Sequence, residues 1–305
     1  MLSGWQNHTS VFMVQISLWI SIYFCETFCL SAESKLPQPS SDAVKTLKLD
    51  SFYSQYIDCG GLAILSSAKT SPYALKEASW IVEQMLHGRE DLLREIVRHK
   101  IRVAVMSYQE FTTDVPEHSD LVPKDGWNRR ARGLGATEQR PAVSCAEENL
   151  LEFKGDPYRG ENIFVHEFAH VIHEFGMKYL DETFDRRLDQ AYKKAIQDGL
   201  WTGTYAASNR REYWAEGVQS WFDTNQARNQ YHNGINTREK LKAYDVGLAT
   251  LLEEVFKSNE WRYCLPHDRK NCAHLNGYDF NASQTFKWPE PIESHTDSTA
   301  VKGKE

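Results

Sequence analysis

The stretch Ile163-Phe164-Val165-His166-Glu167-Phe168-Ala169-His170-Val171-Ile172 decides how this chain is interpreted. Residues four apart lie on one face of a helix, so His166 and His170 would both reach a single zinc ion. Glu167 would then lie beside a zinc-bound water molecule. The other residues of the stretch are apolar, which predicts a buried helix whose ionisable side chains need a partner such as a metal. A buried helix that carries this pattern by chance is the alternative interpretation.

This stretch leaves the third metal ligand open. His173 follows closely and is one candidate. The metzincin pattern, however, requires a glycine where His173 stands and a histidine where Gly176 stands, so that subclass is excluded. We therefore expect His173 to meet polar groups on the far side of the helix.

A second candidate segment for the third ligand lies at residues 205–216. Ser208 or Asn209 would cap the start of a helix that carries Glu212 and Glu216 one turn apart. One of these glutamates would bind zinc while the other hydrogen-bonds a ligand histidine. Alternatively, Glu212 belongs to a capping box and Glu216 is simply solvated. The spacing alone does not decide between these interpretations.

The run Tyr205…Asn209…Glu212-Tyr213-Trp214-Ala215-Glu216, placed after the His-Glu-Phe-Ala-His helix, resembles a known family. It is similar to the catalytic domain of anthrax lethal factor and to the related bacterial Mlc titration factor A group of zinc peptidases. The resemblance covers residues 162–222. It implies an α+β, zincin-like metallopeptidase domain that is mostly helical, with a small mixed sheet beside the zinc helix.

The resemblance also implies a role for each site residue. One zinc ion per chain would be held by three ligands, namely His166, His170 and Glu212. Glu167 would be the general base that takes a proton from the zinc-bound water, and Tyr205 would stabilise the transition state. Glu216 would support the ligands from outside the coordination sphere.

These roles predict a secreted zinc endopeptidase that acts on a peptide or protein substrate. The alternative is a non-catalytic zinc-binding or toxin-accessory module on a zincin scaffold. In zincin peptidases the substrate pairs with a sheet edge beside the zinc helix, and Ala142-Val143-Ser144 is predicted to be that edge strand. Residues 111–140, just before it, are predicted to form a long loop, and loops of this length are usually functional or disordered.

Hydrophobic periodicity predicts the other elements. Strands are expected at the apolar run Leu62-Ala63-Ile64-Leu65, within residues 59–66, and at residues 101–106. Helices are expected at residues 73–87, 89–99, 160–179, 182–199, 209–224 and 241–256.

The N-terminal residues have the pattern of a signal peptide. Residues 11–24 are apolar and are followed by the small pair Ser31-Ala32. This stretch is shorter than the ~20 residues that span a bilayer, so no stable membrane insertion is expected. We predict a signal peptide at 1–32, with an uncleaved signal anchor as the alternative. A linker or short pro-region at 33–50, a metallopeptidase domain at 51–288 and a disordered tail at 289–305 would follow.

Cysteine usage and charge bear on compartment and partners. Of the six cysteines, two lie in the predicted signal peptide. Secretion favours disulfides among the other four, and the expected pairs are Cys264–Cys272 and Cys59–Cys145. Free, buried cysteines are the alternative. The formal net charge of -7 argues against nucleic acid as a partner.

Overall fold

A four-stranded mixed sheet with the strand order β1-β2-β3-β4 lies at the centre of the fold. The structure is a computed structural model and describes residues 35–270 and 272–290. β1 and β2 are antiparallel, whereas β2, β3 and β4 pair in parallel. The strands span Gln55–Cys59 (β1), Leu62–Ser66 (β2), Arg102–Met106 (β3) and Ala142–Ala146 (β4).

Helices make up most of the remaining regular structure, so the predicted combination of helices with a small mixed sheet is confirmed. The first five are α1 (Ser41–Leu47), α2 (Pro72–Met85), α3 (Glu90–Arg98), α4 (Lys124–Asn128) and α5 (Glu147–Leu150). The next three are α6 (Ile163–Ile172), α7 (Lys178–Leu180) and α8 (Phe184–Gln197). The last three are α9 (Arg210–Trp221), α10 (Arg238–Tyr244) and α11 (Val246–Phe256).

The buried strand predicted at Leu62-Ala63-Ile64-Leu65 is confirmed as β2, and β1, which ends at Cys59, is an additional strand that precedes it. Gly60 and Gly61 join the strands with φ angles of 61° and 95°. Two positive φ angles in a two-residue connection are typical of a tight hairpin turn, and glycine adopts them without steric cost.

Both faces of the sheet are buried, and alternate residues of each strand serve different faces. The face that includes Ile64, Val103 and Val143 belongs to the main core, together with the apolar side chains of α2, α3 and α6. The opposite face is covered in part by Leu49 and Tyr53. The end of the segment predicted as a linker or pro-region therefore packs on the sheet, and α1 lies in the same segment.

Two predicted helices differ in detail from the observed ones. α6 ends at Ile172 and continues as a π-helical turn, His173–Met177, into α7. A Cβ on Gly176 in that turn would lie 2.6 Å from Leu92 Cδ2, so only glycine allows α3 to approach here. The single helix expected at 241–256 is wrong because Asp245 separates α10 from α11. Its carboxylate accepts a hydrogen bond from the Leu248 N–H and so caps α11.

The four cysteines that the structure describes are free thiols, so both predicted disulfides are wrong. Cys59 and Cys145 lie on β1 and β4, at opposite edges of the sheet. Three strand spacings of about 4.8 Å separate these edges, whereas bridged cysteines have Cα atoms within about 7 Å. Cys272 lies 4.0 Å from Nη1 of Arg269 and is not bonded to Cys264.

Some predictions fall on residues outside the described range. These are the signal peptide at 1–32 and all but the first two residues of the tail at 289–305. Within residues 35–270 and 272–290, none of the helices combines the length and apolar character needed to cross a bilayer.

A buried histidine beside β4 couples its own protonation to unfolding. His118 is 1% exposed, and its Nε2 lies 3.1 Å from Oγ of Ser144. Burial lowers the pKa of His118 to about 4, because water no longer stabilises the protonated ring. Its pKa in the unfolded chain is about 6.5, so the unfolded state binds more protons between these two pH values.

We expect the contribution of His118 to the free energy of unfolding to fall by up to about 3 kcal/mol as the pH drops from about 6.5 to about 4. Urea unfolding across this range measures the slope. His118→Gln, which cannot be protonated, is expected to reduce the slope. The same substitution at exposed His87 is the control and should leave the slope unchanged. Equal slopes for wild type and His118→Gln would contradict this assignment.

Candidate metal centre

α6 presents the two histidines of the motif on one face. His166 and His170 are four residues apart, and their Nε2 atoms lie 3.3 Å from each other. The side chain of Asn162 accepts a hydrogen bond from the Val165 N–H and caps the start of the helix. The surrounding apolar side chains of α6 are buried in the main core, which holds the helix in place.

The third potential ligand comes from the first turn of α9. The Glu212 Oε2 atom lies 3.0 Å from Nε2 of His166 and 3.5 Å from Nε2 of His170. Asn209 caps α9 by accepting hydrogen bonds from the N–H groups of Arg211 and Glu212, as the sequence predicts for this position. The three atoms proposed as ligands therefore converge, all within 4.8 Å of one another.

Gln219 is the closest partner of the outer nitrogen of His166. Gln219 Oε1 lies 2.9 Å from Nδ1 of His166, whereas Glu216 Oε1 is 3.7 Å away, beyond hydrogen-bonding distance. Glu216 was the residue predicted to support a ligand histidine, and Gln219 was not predicted from the sequence. Gln219 stands seven residues after Glu212, two helical turns further along the same face of α9, so helical spacing could have identified it.

The hydrogen bonds of Gln219 determine the tautomer of His166. Its Nε2 donates to Oε2 of Glu161 and to the carbonyl oxygen of Asn162, so its Oε1 must face His166 as an acceptor. Nδ1 of His166 therefore carries a hydrogen. Burial lowers the pKa of His166, but Nε2 donates to Glu212, which raises that pKa, and the lone pair of Nε2 becomes available to a metal ion that replaces this proton. This is the orientation that a metal-binding histidine requires.

The charges of the group also fit a divalent cation. Burial alone raises the pKa of Glu212, but its hydrogen bonds to His166 and His170 hold that pKa well below its usual range. Glu212 is thus a carboxylate at neutral pH. Two imidazole nitrogens and one carboxylate oxygen are common zinc ligands, and three protein ligands leave a fourth position open.

Glu167 lies next to this group and is partly buried. Burial raises the pKa of Glu167, and the nearby histidines and the Gly135 N–H offset only part of that effect. A carboxylate with a raised pKa holds a proton more readily, which suits a group that accepts and later releases one.

The chain itself covers part of the edge of β4 that was expected to bind substrate. β4 lies at an edge of the sheet, as predicted, but Leu134 and Ser144 exchange both backbone hydrogen bonds, at 2.9 and 3.3 Å. The prediction of a free edge at Ser144 is therefore wrong, because the end of the long loop pairs there. A Cβ on Gly133 would lie 3.0 Å from Cγ of Glu167, and one on Gly135 would lie 3.2 Å from Cβ of His170.

Tyr205 lies near His166, in the turn Tyr205–Ala207 before α9, and is 44% exposed. Its ring centre is 6.2 Å from that of His166. Its backbone N–H donates to the carbonyl oxygen of Tyr231 at 2.8 Å. Burial, followed by the charge of Glu212, raises the pKa of Tyr205, so its hydroxyl keeps its proton and remains a donor.

Two other predicted site residues lie further from the centre. His173 Nε2 is 2.7 Å from Oδ1 of Asp185 on α8, so His173 belongs to a different contact. Glu216 is buried, and its Oε2 contacts Nδ2 of Asn225 at 3.0 Å and Nε2 of His232 at 3.5 Å.

A second group of potential ligands, Glu77, Cys272 and His274, is occupied by a cation of the protein itself. Arg269 donates to both carboxylate oxygens of Glu77, at 2.8 and 2.9 Å. The charge of the carboxylate is already balanced by this bidentate pair, so the group is an ion pair that fastens the C-terminal segment to α2.

Comparison with known proteins identifies no family. No protein-family model matches the chain, and no curated protein matches it. The chain is similar to the solved structure of the Pro-Pro endopeptidase PPEP-2 from Paenibacillus alvei, at 17% sequence identity and a TM-score of 0.32. The match covers 59% of this chain and 87% of the other. A likeness this low carries no functional conclusion, which must come from the geometry of the centre.

We expect one zinc ion per chain, measured by elemental analysis after gel filtration. Glu212→Ala should weaken zinc binding strongly because it removes a ligand oxygen. Glu216→Ala is the matched control from the next turn of α9 and should retain zinc. Loss of zinc from both variants to the same extent would show that the third ligand is assigned wrongly.

Gln219→Met should weaken zinc binding about 10- to 100-fold, the usual effect of losing a partner that orients a ligand histidine. Methionine has a similar volume but offers only a weak acceptor to Nδ1 of His166. Competition with a chromogenic chelator measures the affinity, and thermal unfolding of the metal-free protein controls for misfolding. An unchanged zinc affinity would contradict the proposed role of Gln219.

Proposed function

We propose that this protein is a secreted zinc-dependent endopeptidase. The observation that carries the proposal is the convergence of His166, His170 and Glu212 with the carboxylate of Glu167 beside them. Three ligands and an open position distinguish catalytic zinc sites from structural ones, which have four protein ligands. Secretion rests on the apolar N-terminal segment of the sequence, and the zincin-like assignment rests on the motif and on this geometry.

Zinc in such a site supplies Lewis-acid chemistry, because it polarises a carbonyl group and lowers the pKa of water from ~15.7 to about 7. Glu167 accepts the proton of the attacking water and passes it to the departing amine. Its raised pKa, caused by burial, favours this exchange near neutral pH.

Tyr205 contributes a neutral hydroxyl at the mouth of the centre. Because its pKa is raised, the hydroxyl is protonated wherever the enzyme works and donates a hydrogen bond to the developing oxyanion. Its ring lies beside that of His166, with 6.2 Å between the ring centres.

The substrate would bind along the segment Gly133-Leu134-Gly135 rather than directly on β4. Leu134 directs its backbone groups towards Ser144, so the alternate residues of an extended segment direct theirs to the other side. A peptide that adds a strand there would lie next to Glu167 and His170, which both contact these glycines.

We expect the purified protein to cleave members of a diverse peptide library and Glu167→Gln to cleave none. Glutamine keeps the shape of the side chain but cannot accept the proton, and zinc content should be unchanged because Glu167 is not a ligand. Mass spectrometry of the products identifies the cut bonds. Cleavage by both proteins at the same rate, or by neither with zinc bound, would exclude the proposed activity.

Tyr205→Phe should lower kcat on the order of 10²-fold, the usual loss for one oxyanion donor, with the zinc content unchanged. Tyr231→Phe is the control, because Tyr231 contacts Tyr205 through its backbone carbonyl, which the substitution preserves. Steady-state kinetics on one cleaved peptide separates kcat from KM. A Tyr205→Phe enzyme with the wild-type kcat would rule out the transition-state role.

A further inference from the structure

The loop between α9 and α10 (residues 222–237, the α9–α10 loop) returns to the turn that carries Tyr205. The backbone carbonyl of Tyr231 in this loop accepts a hydrogen bond from the Tyr205 N–H at 2.8 Å. The other end of the turn is held by α8, because the Tyr192 hydroxyl donates to the carbonyl oxygen of Ala207 at 2.8 Å. Tyr205 is 44% exposed, so packing holds its side chain only in part, and its position depends on the contacts of its backbone.

His232, the residue after Tyr231, attaches the α9–α10 loop to α9. Its Nε2 lies 3.5 Å from Oε2 of Glu216, and the side chains of His232 and Glu216 are 13% and 4% exposed. Glu216 stands one helical turn after the proposed ligand Glu212. The loop that contacts Tyr205 is therefore paired with the helix that supplies the third ligand.

The turn at residues 229–232 couples His232 to Tyr231. The Asn229 side chain accepts hydrogen bonds from the N–H groups of Tyr231 and His232, at 2.8 and 3.0 Å. The Asn229 N–H donates to the carbonyl oxygen of His232 at 3.0 Å. Because these bonds close the turn, a displacement of His232 would also displace the Tyr231 carbonyl, and through it Tyr205.

The surroundings of His232 favour its charged form. Oδ1 of Asn229, which already accepts from two N–H groups, lies 3.0 Å from Nδ1 of His232, so Nδ1 carries a hydrogen. Nε2 faces the carboxylate of Glu216. Burial lowers the pKa of His232, but Glu216, followed by the charge of Glu161, raises that pKa above its usual value. An imidazolium and a buried carboxylate attract each other more strongly than neutral groups do.

We propose that His232 is a positioning residue for the reaction at the metal centre. It holds the turn 229–232 on Glu216, and the Tyr231 carbonyl then fixes the backbone of Tyr205, so that the Tyr205 ring stays beside that of His166. The inference rests on the proposed peptidase activity and adds to it a residue that acts through Tyr205.

His232→Ala should lower kcat about 10-fold, because a displaced donor loses part of the rate that one oxyanion donor supplies. KM and the zinc content should stay close to those of the wild type, since neither depends on the Tyr205 hydroxyl. His232→Gln keeps an N–H donor for Glu216 and should recover most of the lost activity. Steady-state kinetics at saturating zinc on one cleaved peptide measures these values, and no recovery by His232→Gln would overturn the role of the contact with Glu216.

His99→Ala is the matched control. His99 is also a partly buried histidine that pairs with a glutamate, with its Nε2 at 3.2 Å from Oε1 of Glu95. Its ring packs against Phe175 and Tyr179. The kcat of His99→Ala should equal that of the wild type. The same loss in both alanine variants would reflect a general loss of packing and would overturn the positioning role.

A double-mutant cycle shows whether His232 acts through Tyr205. In a Tyr205→Phe background, His232→Ala should lower kcat less than about twofold, because the donor that His232 positions is already absent. A residue with a purely structural role would lower kcat by the same factor in both backgrounds. Glu216→Ala removes the other partner of the contact and should give the same pattern, so it tests the proposal where His232→Ala does not fold.

The two proposals fail in different ways. Cleavage that Glu167→Gln abolishes but His232→Ala leaves unchanged, or lowers equally in both Tyr205 backgrounds, would retain the peptidase and overturn the role of His232. A wild-type kcat for Tyr205→Phe would overturn it as well. Absence of any cleavage by the zinc-loaded wild type would overturn the peptidase, and the positioning role with it.

Discussion

The packing of α6 against α9 is the contact on which the candidate centre depends. His166 and Glu212 are 46 residues apart in the chain, yet their side chains meet at 3.0 Å. The Trp214 indole donates to the carbonyl oxygen of Ala169 at 2.9 Å, in a pair of helices where both groups are buried. This bond joins α9 to the backbone of α6 next to His170. A small sliding of either helix would break it and separate the ligands at the same time.

Burial of α9 requires its polar side chains near the centre to find partners inside the protein. Every residue from Tyr213 to Trp221 is buried, and several of them are polar. A buried polar group without a partner costs free energy, so Glu216, Gln219 and Ser220 must each find one. Gln219 binds His166, Glu216 binds Asn225, and Ser220 donates to the carbonyl oxygen of Ile235. The bonds that satisfy the helix therefore also orient His166, one of the candidate ligands, and hold the loop after α9.

The parts that could be predicted from sequence are those whose chemistry is local. The helical spacing of His166 and His170 and the cap at Asn209 follow from neighbouring residues, and the structure shows both. The covered edge at Ser144, the free cysteines and the break at Asp245 depend on distant parts of the chain. Asp245, for example, also accepts hydrogen bonds from Trp201 and Tyr213, which no local pattern reveals. Disulfide pairing failed for the same reason, because the strand order decides which cysteines approach.

Gly133 and Gly135 have no side chains with which to pack, so a neighbouring residue must hold the segment 133–135 in place. Arg132, directly before it, is fully buried and forms an ion pair with the equally buried Glu148. Its guanidinium also donates to the carbonyl oxygens of Ser107 and Glu110. Such a buried pair adds little net stability, but a displaced Arg132 would leave a charge without a partner in the core. Electrostatics thus fixes the segment against β4, and glycine lets it approach Glu167 and His170 closely.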